Sequence, residues 1–165
     1  MIKLKSLGPL EILVSISVIY VISMLIWTAA TRESVLKKVN DVKSNHQNVV
    51  ILLNNEIDRC SQKLQQTTSW NEDCSSVWSS SIIVDYILKN VELKNPYSLN
   101  KPLIQTSTDP RIQAEGKAGQ STDKGVIFVS SNDFNFEAGS EWVIGTCVKS
   151  PCVAAGNNEL VSIYR

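Results

Sequence analysis

The side chains in this sequence that could do chemistry are few: four cysteines, a single histidine and one acid set inside an apolar run. Cys60, Cys74, Cys147 and Cys152 permit three pairings, of which nearest-neighbour closure encloses the smallest loops and suits an exported domain in an oxidising compartment. Free buried thiols in a cytosolic chain are the competing reading. Neither spacing is a C-x2-C knuckle and His46 has no cysteine close in sequence, so no metal site is expected. No nucleophile elbow, phosphate loop or H-E-x-x-H is present, and Ser34–Lys37 and Ser98–Lys101 match S-x-x-K without its companion motifs. No catalytic residue and no cofactor is assigned, and the chain does not read as an enzyme. A solitary His46 on a helix face reads as packing or solvation. Oxygen side chains alternate from Asp133 to Glu137 as in a calcium loop, but Ala138 stands where the sharp turn needs glycine. With 16 basic and 16 acidic residues, no charge excess points to a nucleic acid, and no intrinsic nucleic-acid site is evident.

The acid is Glu11, the only charged residue between Leu10 and Ala30. A carboxylate inside a hydrophobic segment costs at least ~2.5 kcal/mol, so it marks a function unless it reaches the interface. Glu11 lies one residue into the run and can snorkel towards headgroups, which is its plain structural alternative. The run itself has spanning length, since about 20 helical residues cross a ~30 Å hydrocarbon layer. Lys3 and Lys5 before it hold the start in the cytoplasm and send the chain beyond Arg32 outward. The outward side and the oxidised cysteines therefore agree.

A cleaved secretory signal is the competitor, because Thr28, Ala29 and Ala30 are small. The apolar run exceeds the usual core of about 7 to 15 residues, and helical periodicity continues beyond it. Val35, Val39, Val42, Val49, Val50, Leu53, Ile57 and Cys60 recur at steps near three and four, with His46 on the same stripe. No proline or glycine interrupts the chain from Pro9 to Cys60, which predicts one helix of roughly 50 residues, apolar in its first half and amphipathic in its second.

The segment KLKS-LGPLEILVSISVIYVI resembles the processing site and first helix of the type IV pilin and pseudopilin family: a short basic leader, a scissile bond, a hydrophobic first residue, and a glutamate four residues further on. The resemblance implies a leader at 1–6, cleavage between Ser6 and Leu7 by a prepilin peptidase, and methylation of the Leu7 amino group. Ser6 and Leu7 stand where the family usually has glycine and often phenylalanine, and no proline interrupts the helix near Thr28. A cut after Gly8 would restore the glycine but leave Pro9 as the new terminus and bring Glu11 too close. The resemblance further implies a transmembrane assembly half at 7–31, an extracytoplasmic head at 32–165, and self-association into a filament through the first helix. Glu11 would pair with the free amino terminus at Leu7 of a neighbouring copy. Implied partners are the inner membrane, the peptidase and the pilus assembly machinery, and implied roles are adhesion, motility or DNA uptake, with a final location in an extracellular fibre or the periplasm. A minor pilin, a pseudopilin of a secretion or competence system, and a single-span binding domain that never polymerises are the alternatives.

For the head the expected fold is α+β. QKLQQTTSWNEDC reads as the end of the long helix and a loop tied back by Cys74, and Val77 to Val91 as a second, shorter helix capped by the preceding serines. Residues 94–125 read as an exposed connection. Strands are expected at Val126–Ser130, Trp142–Val148 and Leu160–Tyr164, with a weaker one near Leu103–Gln105, in an antiparallel sheet covered by the amphipathic half of the long helix. NPYSLNKPLI and the carboxy-terminal disulfide loop resemble the family's turn before the sheet and its last strands.

Overall fold

The long helix starts where the local chemistry tells it to. Gly8 accepts the first helical bond from Ile12 N–H at 3.1 Å, which makes it the N-cap, and Pro9 fills the first helical position, where a missing N–H costs nothing. In this computed structural model, which describes residues 8–116, 123–131 and 141–164, the helix α1 runs without a break over Pro9–Ser61. The expected cleavage site at Ser6 and Leu7 and the calcium-like alternation at 133–137 lie outside the described residues. By compactness the chain divides into two units between Lys37 and Lys38.

In the first unit every residue from Pro9 to Lys37 is exposed. In the second, α1 buries Val42, His46, Val49, Leu53, Glu56 and Ile57, one stripe at steps of three and four. The stripe meets a four-stranded sheet of order β1 (Ile104–Thr106), β2 (Ile127–Ser131), β3 (Glu141–Cys147), β4 (Asn158–Tyr164). The register sorts the side chains. Ile127 pairs with Thr146, Val129 with Ile144, Trp142 with Ile163 and Ile144 with Val161. Because alternate strand residues share a face, these fall on one side, where all but Thr146, which meets His46, join Val49, Leu53 and Ile57 in a single apolar cluster.

The helix α2 (Ser80–Asn90) adds Ile83, Val84 and Ile87 to that cluster, beside Trp70 and Trp78. The expected serine cap differs in detail. Ser79 holds the N-cap position, but its side chain makes no capping bond, and its N–H donates instead to the Glu72 carboxylate at 3.1 Å.

The largest departure from the expected architecture lies in 94–125. β2, β3 and β4 are antiparallel as expected, whereas β1 pairs with β2 in parallel. A parallel neighbour needs a crossover, and a third helix, α3 (Pro110–Glu115), sits in it. Its start is written locally: the Asp109 side chain accepts from Arg111 N and Ile112 N at 3.0 and 3.2 Å, Pro110 leads, and Gly116 ends the helix at φ 63°. This connection is therefore partly core, with Ala114 fully buried against the second face of the sheet.

Gly145 makes that contact possible. A Cβ there would lie 2.3 Å from the Pro110 carbonyl oxygen and 3.1 Å from the Ala114 Cβ. Gly145→Ala is expected to push α3 off the sheet and cost about 1–3 kcal/mol. Thermal unfolding checks it: the variant should melt several degrees lower, and an unchanged transition would show that α3 yields freely.

Candidate functional site

The first 20 or so residues of α1 form the feature most in need of an explanation. From Leu10 to Trp27 the large apolar side chains point outward all round the helix, Leu10 76% and Trp27 73% exposed. A surface this apolar is not left in water by a folded protein and needs lipid or protein as its solvent. The helix is long and apolar enough to cross a membrane.

Its serine and threonine hydroxyls are dealt with locally. Ser15 and Ser23 donate to the carbonyls of Glu11 and Ile19 four residues back at 2.7 and 2.8 Å, and Ser17 to Val14 at 2.8 Å. Thr28 donates to Leu25 at 2.9 Å and Thr31 to Trp27 at 3.0 Å. Each hydroxyl is thereby satisfied within the helix, which removes the penalty for carrying it into hydrocarbon.

Glu11 is the third residue of the helix, and its Oε2 accepts from the Gly8 N–H at 3.0 Å. This is the return half of a capping box, and it places a negative charge at the positive end of the helix. One carboxylate oxygen is thus engaged locally. Leu7, named with Glu11 as the assembly pair, lies outside the described residues, as does Ser6.

The four cysteines pair by nearest neighbours, Cys60 with Cys74 and Cys147 with Cys152. The first bridge ties the end of α1 to a loop of sequence separation 14, a closure that removes ~3 kcal/mol worth of unfolded-state freedom. The same corner holds a carboxylate that the sequence did not single out. Glu56 is buried and accepts from Ser69 N–H at 3.1 Å, from the Ser69 hydroxyl, from Gln65 Nε2 at 2.7 Å and from Arg59 at 3.3 Å. Burial alone would raise its pKa, and these donors outweigh burial and lower it.

His46 is a packing residue in the core. Its Nδ1 lies 2.9 Å from the Thr146 hydroxyl of β3, and its Nε2 has no partner among the described residues. Burial pushes its pKa down to about 4, against a smaller upward pull from Glu159 on β4, which Lys43 pairs at 2.7 Å. Of the S-x-x-K pairs, Lys101 is spent on Asp123.

Compared with known proteins, the chain matches no family model, no curated protein and no solved structure.

The histidine sets a pH dependence. Its folded pKa lies below the ordinary 6.5, so the unfolded chain binds the extra proton, and stability is present above that value and drains away down to about pH 4. Glu56 acts in the same direction but only further into acid, because a lowered carboxylate loses its contribution below the ordinary carboxylate range. Between about pH 7 and about pH 5 the head should therefore lose about 2 kcal/mol, read by urea unfolding. His46→Gln should flatten that slope; an equal slope in the variant would remove the histidine as its source.

Proposed function

We propose that this chain is a type IV pilin-like subunit, held in the inner membrane by its first helix and assembled through that helix into a filament. The observation that carries the reading is the apolar surface of α1 from Leu10 to Trp27, exposed on every side and broken by the single acid Glu11. In the bilayer those side chains face lipid. On extraction by an assembly motor they face the same segment of other copies, so lipid contact is exchanged for protein contact with little change in apolar exposure. Supporting features are the disulfide-closed α+β head and the basic residues Lys3 and Lys5 ahead of the span.

In this reading a prepilin peptidase cuts between Ser6 and Leu7, and the new Leu7 amino group is methylated. Glu11 gives the otherwise featureless rod a register. Its free carboxylate oxygen accepts a charge-assisted bond from the Leu7 amino group of an adjacent copy, and a copy docked out of step leaves two buried charges unpaired. The filament serves adhesion, motility or DNA uptake at the cell surface, and no catalysis is assigned to it.

Substituting Glu11 separates this role from the local cap. Glu11→Gln keeps an oxygen for the Gly8 N–H and removes the charge, so the protein should stay membrane-bound at normal abundance while sheared extracellular filament drops at least tenfold. Filaments at normal abundance and length would remove the pairing. Intact-mass measurement of the native protein should show residues 1–6 gone and one methyl group gained. A protein keeping Met1 and absent from the sheared fraction would be a solitary anchored domain instead.

A further inference from the structure

Ser15, Ser17, Ser23 and Thr28 turn their hydroxyls back onto their own helix, and Tyr20 does not. Its side chain is 68% exposed and has no hydrogen-bond partner among the described residues. The rigid ring holds the oxygen too far out to bend to a carbonyl one turn back, as the short arm of a serine does. Tyr20 also stands midway between Leu10 and Ala30, about 15 Å of helix from either end. A tyrosine side chain does not span that distance, so the headgroups of a ~30 Å layer are out of its reach. An unpaired hydroxyl at that depth carries a desolvation penalty that an acceptor on another protein segment would relieve.

The same stretch of helix carries a matching recess. Ser17, Val18, Val21 and Ile22 surround a shallow hollow of about 240 Å³. They are the four corners of one diamond on the helix surface, the kind of hole into which a neighbouring helix sets a side chain. Three corners are branched hydrocarbon, and the fourth supplies a polar atom with capacity to spare. The Ser17 hydroxyl donates its proton to the Val14 carbonyl at 2.8 Å, which leaves its lone pairs to accept.

We infer that the Tyr20 ring of one copy seats in this hollow of a second copy, with the phenol O–H donating to the Ser17 Oγ. The inference rests on the filament reading above and adds to it a contact at mid-span. The ring covers the two valines, and the donor and acceptor that each copy leaves unused meet at the corner. Long side chains on a helix lean towards its N-terminus, so the phenol oxygen lies about one turn before its own Cα. Ser17 is the N-terminal corner of the hollow, so the fit needs parallel helices, as copies inserted in the same sense are; an antiparallel neighbour would set the oxygen against Ile22. At about 3.6 residues per turn the hollow faces roughly a third of a turn away from Tyr20 on the same helix. Ring and hollow of one copy therefore serve different neighbours, a heterologous contact that propagates instead of closing a symmetric pair. A lipid chain in the hollow would leave Tyr20 unpaired.

Tyr20→Phe keeps the ring and Ser17→Ala keeps the hollow, and both remove the bond. Each should leave the full chain in the membrane at normal abundance and lower the sheared filament about threefold, as the loss of one interhelical hydrogen bond in a membrane does. The double variant should fall no further than either single one, because the two changes delete the same bond. Ser23→Ala, whose hydroxyl lies outside the hollow, should assemble normally. Losses that add, or no loss in either single variant, overturn the bond. A benzophenone side chain at position 20, with its adducts mapped by peptide mass, separates this contact from the filament reading. Adducts to residues 17–22 of a second copy are expected in the filament. The same adducts in membranes of cells that shed no filament would keep the contact and sink the filament reading, whereas adducts to lipid alone, to another protein or to other residues of the chain overturn the contact.

Discussion

One run of backbone hydrogen bonds, closed without interruption from Pro9 to Ser61, sets the terms for everything else in this molecule. A helix is the only single segment that can enter hydrocarbon with its amides satisfied, and the hydroxyls of Ser15, Ser17, Ser23, Thr28 and Thr31 are folded into the same ladder. The remaining outward surface is apolar, apart from Tyr20 and the carboxylate at the start. Further along, the same element changes character because its side chains change: Val42, Val49, Leu53 and Ile57 make a stripe that a sheet can cover. One helix thus has two solvents.

The head answers the stripe with a sheet that uses both faces. One face takes α1 and α2, and the other takes α3, brought close by the absent side chain at Gly145. Around the rim, polar groups do the fastening. Asn95 is buried, donates to the Lys124 carbonyl at 3.2 Å and accepts from Tyr97 N–H at 2.9 Å, while the Tyr97 hydroxyl reaches the Val148 carbonyl at 2.8 Å. Gly125, at φ 77°, lies against that asparagine, where a Cβ would come within 2.5 Å of its oxygen. The short connection around Asn95 and Pro96 is thereby tied to the turn that leads into β2 and to the residue that follows β3.

Much of this is legible in the sequence because it depends on periodicity. Steps of three and four mark α1 and α2, and β-branched runs mark four strands within a residue or two of their observed places. The cysteine pairing follows from short separations. The features that escape depend on long-range geometry. The parallel setting of β1 is invisible as long as 94–125 reads as a loop, although Asp109, Pro110 and Gly116 carry the cap, first-turn and stop signals of a short helix. Six residues are too few for a periodic pattern to register. Glu56 looks like one more acid on a charged helix, and only the fold brings Ser69 and Gln65 to it.

The bare half of α1 and the oxidised head make sense together if the helix passes from one greasy environment to another while the head stays in water. Photo-crosslinking from single benzophenone groups placed at successive positions between Leu10 and Ile26, in native membranes and in sheared extracellular material, probes this most directly. The account predicts lipid adducts from most positions in the membrane fraction, and chain-to-chain ladders from the same positions in the sheared fraction. Lipid adducts with no ladder from any position in either fraction would contradict it.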